Sequence, residues 1–295
     1  MQSSIQVTRE LLRKVAAYKD YKEYTIIQER DNGSRKIRRI SDPTPELKAL
    51  QRSIAQILQD QVKEQLPYAH AFIKGRNTLT CVQSHIGKSK VITLDIKDFF
   101  PSVPSEEVFF ICQFLARKLN LESEVWILYD LLTLHDRLPQ GAPSSPVVSN
   151  IAFTRYDEQL ALLGAYSRYA DDLIFSGDIN TSRLIDQVQQ IIRPFELKAD
   201  KVKVMNSTER QVALGIILNE KITVPRETKN RLRGYIHYLG QQGKALDSNT
   251  VGMLNYIRSI SPELAERLWG VYNKAMTQQL NRRTNNEYVD EGHDF

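Results

Sequence analysis

Three carboxylates are the residues best suited to chemistry. Asp95 ends the apolar run Val91-Ile92-Thr93-Leu94, and Asp171 and Asp172 stand side by side between Tyr166 and Tyr169 on one flank and Ile174 and Phe175 on the other. A charge at the end of a buried strand is costly to desolvate. If the Asp171-Asp172 segment packs beside that strand, three negative charges converge. Such a cluster is relieved by a pair of Mg²⁺ ions, with Mn²⁺ as a substitute, because these ions favour carboxylate and phosphate oxygens. Two ions about 3.5–4 Å apart can activate an attacking 3′-hydroxyl and stabilise a leaving pyrophosphate. In that scheme Asp95 and Asp171 bridge the metals, Asp172 supports them from the edge, and the Ile96 carbonyl adds a ligand. Any one of these acids alone is more simply a polar turn or a helix cap. The apolar, aromatic flanks running up to Asp171-Asp172 favour the functional reading.

The elements that must position them follow from periodicity. A short amphipathic helix is expected over 9–19 and a hairpin over 24–42, turning at Asp31-Asn32-Gly33. Its second arm carries Arg35, Lys36, Arg38 and Arg39. A helix over 46–65 shows apolar residues at 3/4 spacing. The strand 91–94 leads into helices over 105–119 and 122–133. The stretch Leu138–Pro146 (LPQGAPSSP) is a loop by its Pro, Gly and Ser content. A helix over 147–162 precedes a second hairpin over 165–177, a helix over 182–196, and strands over 201–205 and 211–218. Beyond about residue 225 the pattern is helical, over 226–241, 249–259 and 262–281, with a boundary near 222–228. From residue 284 an acidic tail is expected to be mobile.

Composition narrows the class. The chain has 295 residues, 41% apolar and 25% charged, with 40 Lys+Arg against 35 Asp+Glu, a net +5. That is ordinary for a globular protein and mildly suited to nucleic acid. Two cysteines build neither a disulfide framework nor a four-cysteine zinc site. No apolar run reaches the roughly 20 residues that span a bilayer. The N-terminus has charges where a signal peptide needs its apolar stretch. These features lead us to expect a protein of a reducing cytosol without a membrane partner.

Tyr169-Ala170-Asp171-Asp172 resembles the Tyr-x-Asp-Asp box of reverse transcriptases. It occurs with LDIKDFFPSV (94–103), similar to that family's first metal motif, and with LPQGAPSSPVVSN (138–150), similar to its template and dNTP loop, all in the family's order. RKIRRISDPTPELKALQ (35–51), AFIKGRN (71–77) and ELKADKVKV (196–204) resemble flanking family segments. The resemblance runs from about residue 20 to 260 and looks most like bacterial retron and group II intron-like enzymes, which adds a bacterial source to the expected cytoplasmic location. It implies an α+β right-hand polymerase fold: N-terminal helix and fingers over 1–90, a palm with an antiparallel sheet over 91–222 (including a fingers–palm loop at 134–150), a helical thumb over 223–283, and a mobile tail over 284–295.

The resemblance also assigns roles. Lys36 and Arg38 are expected to clamp the triphosphate, since the arginine fork matches phosphate oxygens. Phe100 would lie under the sugar and exclude a 2′-hydroxyl by a clash. Gln140 would approach the nucleotide, and Lys201 would lie near the pyrophosphate. Arg35, Arg39, Tyr169, Arg231 and Arg233 are expected to contact nucleic acid. Asn150 and Asp157, seven apart, share a helix face and serve the loop, nucleic acid or a structural cap. His70 and His85 are read as structural or RNA-contacting, and Cys81 and Cys112 as packed thiols. The implied activity is RNA-directed DNA synthesis from dNTPs on a cognate structured non-coding RNA, giving an RNA–DNA product. In retrons that particle restrains a toxic effector protein in phage defence. Two segments depart from the retron pattern: Cys81-Val82-Gln83-Ser84-His85, and Ala213-Leu214-Gly215. They motivate one alternative, a non-retron defence reverse transcriptase with protein-primed or untemplated synthesis. The basic residues of the expected fingers and thumb motivate another, an RNA-binding scaffold.

Overall fold

The computed structural model describes residues 6–29, 35–62 and 66–290. The chain forms two compact units, residues 1–85 with 89–204, and residues 86–88 with 205–295.

In the first unit, α1 (Arg9–Ala17) starts at Thr8, whose hydroxyl accepts from the Leu11 amide, and buries Leu12 and Val15. β1 (Tyr21–Glu29) and β2 (Arg35–Pro43) pair antiparallel from Tyr21 opposite Pro43 to Glu29 opposite Arg35. The expected Asp31-Asn32-Gly33 turn lies outside the described residues. α2 (Pro45–Val62) buries Leu47, Leu50, Ile54 and Leu58, one face at helical spacing. α3 (Thr78–Val82) is opened by an Asn77–Thr80 capping box. β3 (Lys90–Asp95) leads to α4 (Ser105–Leu119), which ends where Asn120 turns left-handed at φ +54°. α5 (Val125–Leu132) and α6 (Ser145–Leu160) follow, the latter with Pro146 in its first turn. β4 (Ala165–Tyr169) and β5 (Asp172–Ser176) form the second hairpin. α7 (Thr181–Ile191) follows, and the unit ends within β6 (Lys203–Asn206), after Val204.

The strands assemble in the order β4-β5-β3-β6, with β5 antiparallel to both β4 and β3. One core under this sheet gathers Ile92, Leu94, Phe99, Phe153, Tyr166, Phe175 and Phe195 together with the buried faces of α2, α4, α5 and α6. The expected mix of helices and an antiparallel sheet is therefore present.

In the second unit, β7 (Val212–Ala213) and β8 (Ile216–Ile217) form a small hairpin. Gly87 donates to the carbonyls of Leu218 and Asn219, and the buried Gln211 side chain donates to the Lys88 carbonyl, which ties residues 86–88 to this unit. α8 (Arg226–Gln241), α9 (Ser248–Ile260) and α10 (Pro262–Asp290) pack around Ile236, Leu254, Ile257, Ala265 and Leu268. A Cβ on Gly240 would sit 2.8 Å from the Ala275 Cβ and the Tyr272 carbonyl, so the α8–α10 crossing needs a glycine there.

Several boundaries differ from expectation by a few residues, and four of them are instructive. α7 stops at Ile191 rather than 196 because Pro194 disfavours helix at the residue before it. Lys201 closes a single 3₁₀ turn, Ala199–Lys201, and the strand begins after it. The expected strand over 211–218 is broken by Leu214 and Gly215, both at positive φ (+50° and +75°), the mark of a tight hairpin turn. α10 continues past 281 to Asp290, with neither proline nor glycine to stop it. Residues 291–295 of the expected mobile tail lie outside the described residues.

Candidate active site

The β3–β5 register sets Asp95 directly opposite Asp172. Directly opposed residues of an antiparallel pair point to one face with Cβ atoms about 4.5–5.5 Å apart, and like charges there are destabilising. Asp171 occupies the turn, and its carbonyl accepts from the Ile96 amide at 2.9 Å. The sheet thus brings Asp95, Ile96, Asp171 and Asp172 to one end, as the sequence led us to expect. Asp95 is 17% exposed and Asp171 38%, so the cluster opens to solvent on the Asp171 side.

A lysine completes this cluster. The Lys198 ammonium bonds Asp95 Oδ1 and lies 3.8 Å from Asp171 Oδ2. Its backbone amide donates to the Asp95 carbonyl at 2.8 Å, continuing a short antiparallel pairing in which Ile96 faces Leu197 and Lys97 donates to Glu196. The expected convergence of three acids is partial. Among the described residues no group of three or more His, Cys, Asp or Glu is arranged to hold a metal ion. The positive charge that offsets Asp95 and Asp171 comes here from Lys198. Lys201, the lysine singled out from the sequence, sits one turn further on, its amide donating to the Lys198 carbonyl. The donor set still suits a hard cation, because it is carboxylate and carbonyl oxygen and already draws a cationic group.

Beneath the turn lies a polar cluster that the sequence did not reveal. Arg168 is fully buried and grips Asp157 with Nε (2.9 Å to Oδ1) and Nη2 (2.7 Å to Oδ2). Nη1 donates to Asn150 Oδ1 at 2.9 Å and to the Ala170 carbonyl at 3.2 Å. Burial works against the Arg168 charge, but the Asp157 carboxylate outweighs it and leaves the pKa raised. Asn150 and Asp157 do share one face of α6, and that face turns inward to Arg168. Tyr166 donates to Asp157 Oδ1 at 2.6 Å. His85 is buried with Nδ1 on Ser176 (2.7 Å) and Nε2 on Ser167 (2.8 Å), which makes it a strap across β4 and β5. Burial pushes the Cys81 and Cys112 thiols up to about 11 and about 12, so both are inert packing groups.

Phe99 is core, against Phe153 and Phe195, whereas Phe100 is half-buried and faces Phe72 at 6.1 Å between ring centres. The Gln140 carbonyl accepts from the Ser41 amide at 2.8 Å, and Gly141 at φ +130° leaves no room for a side chain: a Cβ would lie 2.7 Å from the Ser41 carbonyl. The 138–146 loop is therefore seated on β2. On the basic ribbon, Arg38 donates to Gln28 across the strands at 2.8 Å, Arg35 pairs with Glu29 at 3.6 Å, and Arg39 is exposed. The Lys36 side chain lies outside the described residues. Tyr169 is opposite Asp172 in the β4–β5 ladder. Arg231 and Arg233 are exposed on α8 in the second unit. There a shallow cleft of about 360 Å³ is lined by Asn230, Arg233, Gly234, His237 and Val271.

Comparison with known proteins bears on this geometry. The family model described as Reverse transcriptase (RNA-dependent DNA polymerase) matches residues 27–243. The Retron Mx162 reverse transcriptase of Myxococcus xanthus is 33% identical over 302 aligned residues, covering 85% of this chain. The Retron Mx65 reverse transcriptase of the same organism is 31% identical over 266, covering 79% of this chain. The chain spans 60% of the length of each of these two relatives. The Retron Ec86 reverse transcriptase of Escherichia coli is 27% identical, covering 91% of this chain and 86% of its own length. Among solved structures, the telomerase of Candida albicans in complex with a TWJ fragment of telomeric RNA aligns with a TM-score of 0.54 at 12% identity. It covers 94% of this chain and 58% of that one, a likeness of fold alone.

Proposed function

The chain belongs to the reverse transcriptase family, and from that premise we propose that it is an RNA-directed DNA polymerase that copies a cognate structured non-coding RNA into DNA within a retron antiphage system. The observation that carries the reading is the register that sets Asp95 against Asp172, with Asp171 in the adjoining turn. In this reading residues 1–90 act as fingers, 91–222 as a palm with its loop at 134–150, and 223–283 as a thumb. Among the described residues no helix is long and apolar enough to cross a membrane. The expected location is the bacterial cytoplasm, in line with the retron relatives from Myxococcus xanthus and Escherichia coli.

Asp95, Asp171, Asp172 and the Ile96 carbonyl would hold two Mg²⁺ ions, or Mn²⁺ in their place. When bound, these ions would activate a primer 3′-hydroxyl and stabilise departing pyrophosphate. Lys198, released from Asp95, and Lys201 beside it would stand ready to protonate that leaving group. Lys36 and Arg38 on the ribbon would receive the triphosphate. Phe100 would lie beneath the deoxyribose and turn away ribonucleotides. Gln140 and Gly141 would bring backbone close to the base pair being formed. Arg35, Arg39 and Tyr169 would touch template or primer. Arg231 and Arg233, near exposed Tyr235 and Tyr238 on α8, suit an A-form duplex gripped through phosphate and 2′-hydroxyl groups. The expected partners are the structured RNA, its DNA product, dNTPs and a toxic effector protein.

A primed RNA template with dNTPs and Mg²⁺ should yield cDNA, and the double change Asp171→Ala, Asp172→Ala should abolish it. Synthesis that survives would refute the site. Sequencing nucleic acid that co-purifies with the chain should recover one RNA–DNA species. Random-sequence DNA, or DNA joined to protein, would overturn the retron role while leaving the polymerase intact.

A further inference from the structure

Arg168 takes no part in the chemistry just described, yet it heads the fully buried side chains by volume among the described residues. A buried ion pair is weak evidence for stability, since apolar side chains of like volume often serve the fold as well. The way this one spends its donors suggests another use. Nε and Nη2 are committed to Asp157, which is itself fixed by the Tyr166 hydroxyl. Nη1 is left to bind Asn150 and the Ala170 carbonyl. Asn150 is held in turn by its own donation to the Ala71 carbonyl at 2.9 Å. The Arg168 backbone is equally constrained, donating to Tyr68 and accepting from His70, both at 2.8 Å.

The group at the end of this chain of contacts is unusual. Ala170 has φ +56°, the left-handed region that disfavours any residue with a Cβ. It is the residue immediately before Asp171. Were Ala170 to relax to negative φ, the peptide leading into Asp171 would rotate and carry that carboxylate away from Asp95. We propose that Arg168 is a positioning residue: its guanidinium, braced by Asp157 and Asn150, holds Ala170 in the left-handed turn that presents Asp171 to the site. The proposal rests on the reading of Asp171 as a metal-binding acid. It requires the arginine fork, because a lysine would keep the charge but could not reach Asp157, Asn150 and Ala170 together.

The test uses the full chain and reads Mn²⁺ binding by electron paramagnetic resonance alongside the rate of dNTP addition. Arg168→Lys should weaken Mn²⁺ binding about tenfold and slow addition by about a hundredfold, the scale of a misplaced reacting group. Adding Ala170→Gly to that variant should restore most of both, since glycine adopts positive φ without a brace. Leu128→Ala, a core change in α5, should lower the melting temperature without moving Mn²⁺ affinity. Should Arg168→Lys fail to fold, Ala170→Val supplies the second arm. With Arg168 intact, its branched side chain should break the left-handed turn and reproduce the Mn²⁺ defect. Parental Mn²⁺ binding and rate in folded Arg168→Lys, no rescue by Ala170→Gly, or parental Mn²⁺ binding in Ala170→Val would each overturn the positioning role. Full activity in Asp171→Asn would instead overturn the site reading beneath it. An inactive Asp171→Asn beside a normal Arg168→Lys would sink the clamp alone.

Discussion

The β4–β5 hairpin and the β1–β2 ribbon share a topology and differ in almost everything else. β3 lies against one side of β4–β5 and the backbone of residues 68–70 against the other, and the central residues of both strands are buried. β1–β2 forms a two-stranded sheet of its own, and eight of the nine residues of β1 are exposed. The buried hairpin ends in acids, and the second arm of the exposed one carries cations. Transfer of a nucleotidyl group tolerates little displacement of the groups that drive it. Attraction of a phosphate is a longer-ranged effect that tolerates much more. A two-stranded ribbon is marginal by itself. Among the described residues this one is held near its base, where Gln51 donates to the Tyr21 hydroxyl, Lys48 pairs with Asp42 and the Ser41 amide donates to the Gln140 carbonyl.

The largest effect should therefore come from the buried end. Asp172→Asn should lower primer extension by about a thousandfold or more while leaving the melting temperature unchanged or slightly raised, because it removes a like charge opposite Asp95. A parallel fall in stability would mean that Asp172 serves the fold and would erase the contrast. Gly141→Ala should come next, since it strikes the seat of the 138–146 loop on β2. Its Cβ would meet the Ser41 carbonyl at 2.7 Å and Ile40 Cγ2 at 3.0 Å, at a φ that glycine alone adopts freely. A cost of about 1–3 kcal/mol is expected, with activity down about tenfold and Mn²⁺ binding at the acids intact.

Charge removal on the ribbon should act more gently. Replacing Arg35, Arg38 and Arg39 together by glutamine should raise the KM for dNTP and template several-fold, flatten the salt dependence of binding, and leave kcat near the parent value. A collapse of kcat instead would give the ribbon a geometric role like that of the acids.

The same contrast explains what the sequence could disclose. The apolar run into Asp95 and the apolar arms around Asp171-Asp172 are short-range patterns, and they located both strands and their acids. The 3/4 spacing did the same for α2, and charge marked the ribbon. Lys198 and Arg168 escaped because their meaning is set by contacts from distant segments: Lys198 by pairing of Leu197 with Ile96, Arg168 by the inward face of α6. Arginine and lysine are usually solvated, so nothing local sets a buried clamp apart from a surface charge. Leu214 was missed for a related reason. Its positive φ is unusual for a branched residue and is imposed by the neighbouring pairing of β7 with β8.

The smallest effect should appear where the buried hairpin meets its flanking backbone. His70 donates its amide to the Arg168 carbonyl, and its Nδ1 contacts Thr80 Oγ1 at 2.9 Å. Burial, and then the positive charges of Arg76 and Arg168, lower its pKa from 6.5 to about 4. The unfolded chain therefore takes up this proton at a higher pH than the folded one. The contribution to stability is complete above about pH 6.5 and is lost as pH falls toward 4. His70→Gln should flatten the melting-temperature profile across that window by about 2–4 °C and leave it unaltered at neutral pH. Removing charges from the ribbon, where water screens each group in either state, should leave the profile's shape unchanged. If the parent and His70→Gln profiles ran parallel between pH 6.5 and 4, the two regions would not differ in how they bury charge at this edge, and the contrast would be confined to the acids themselves.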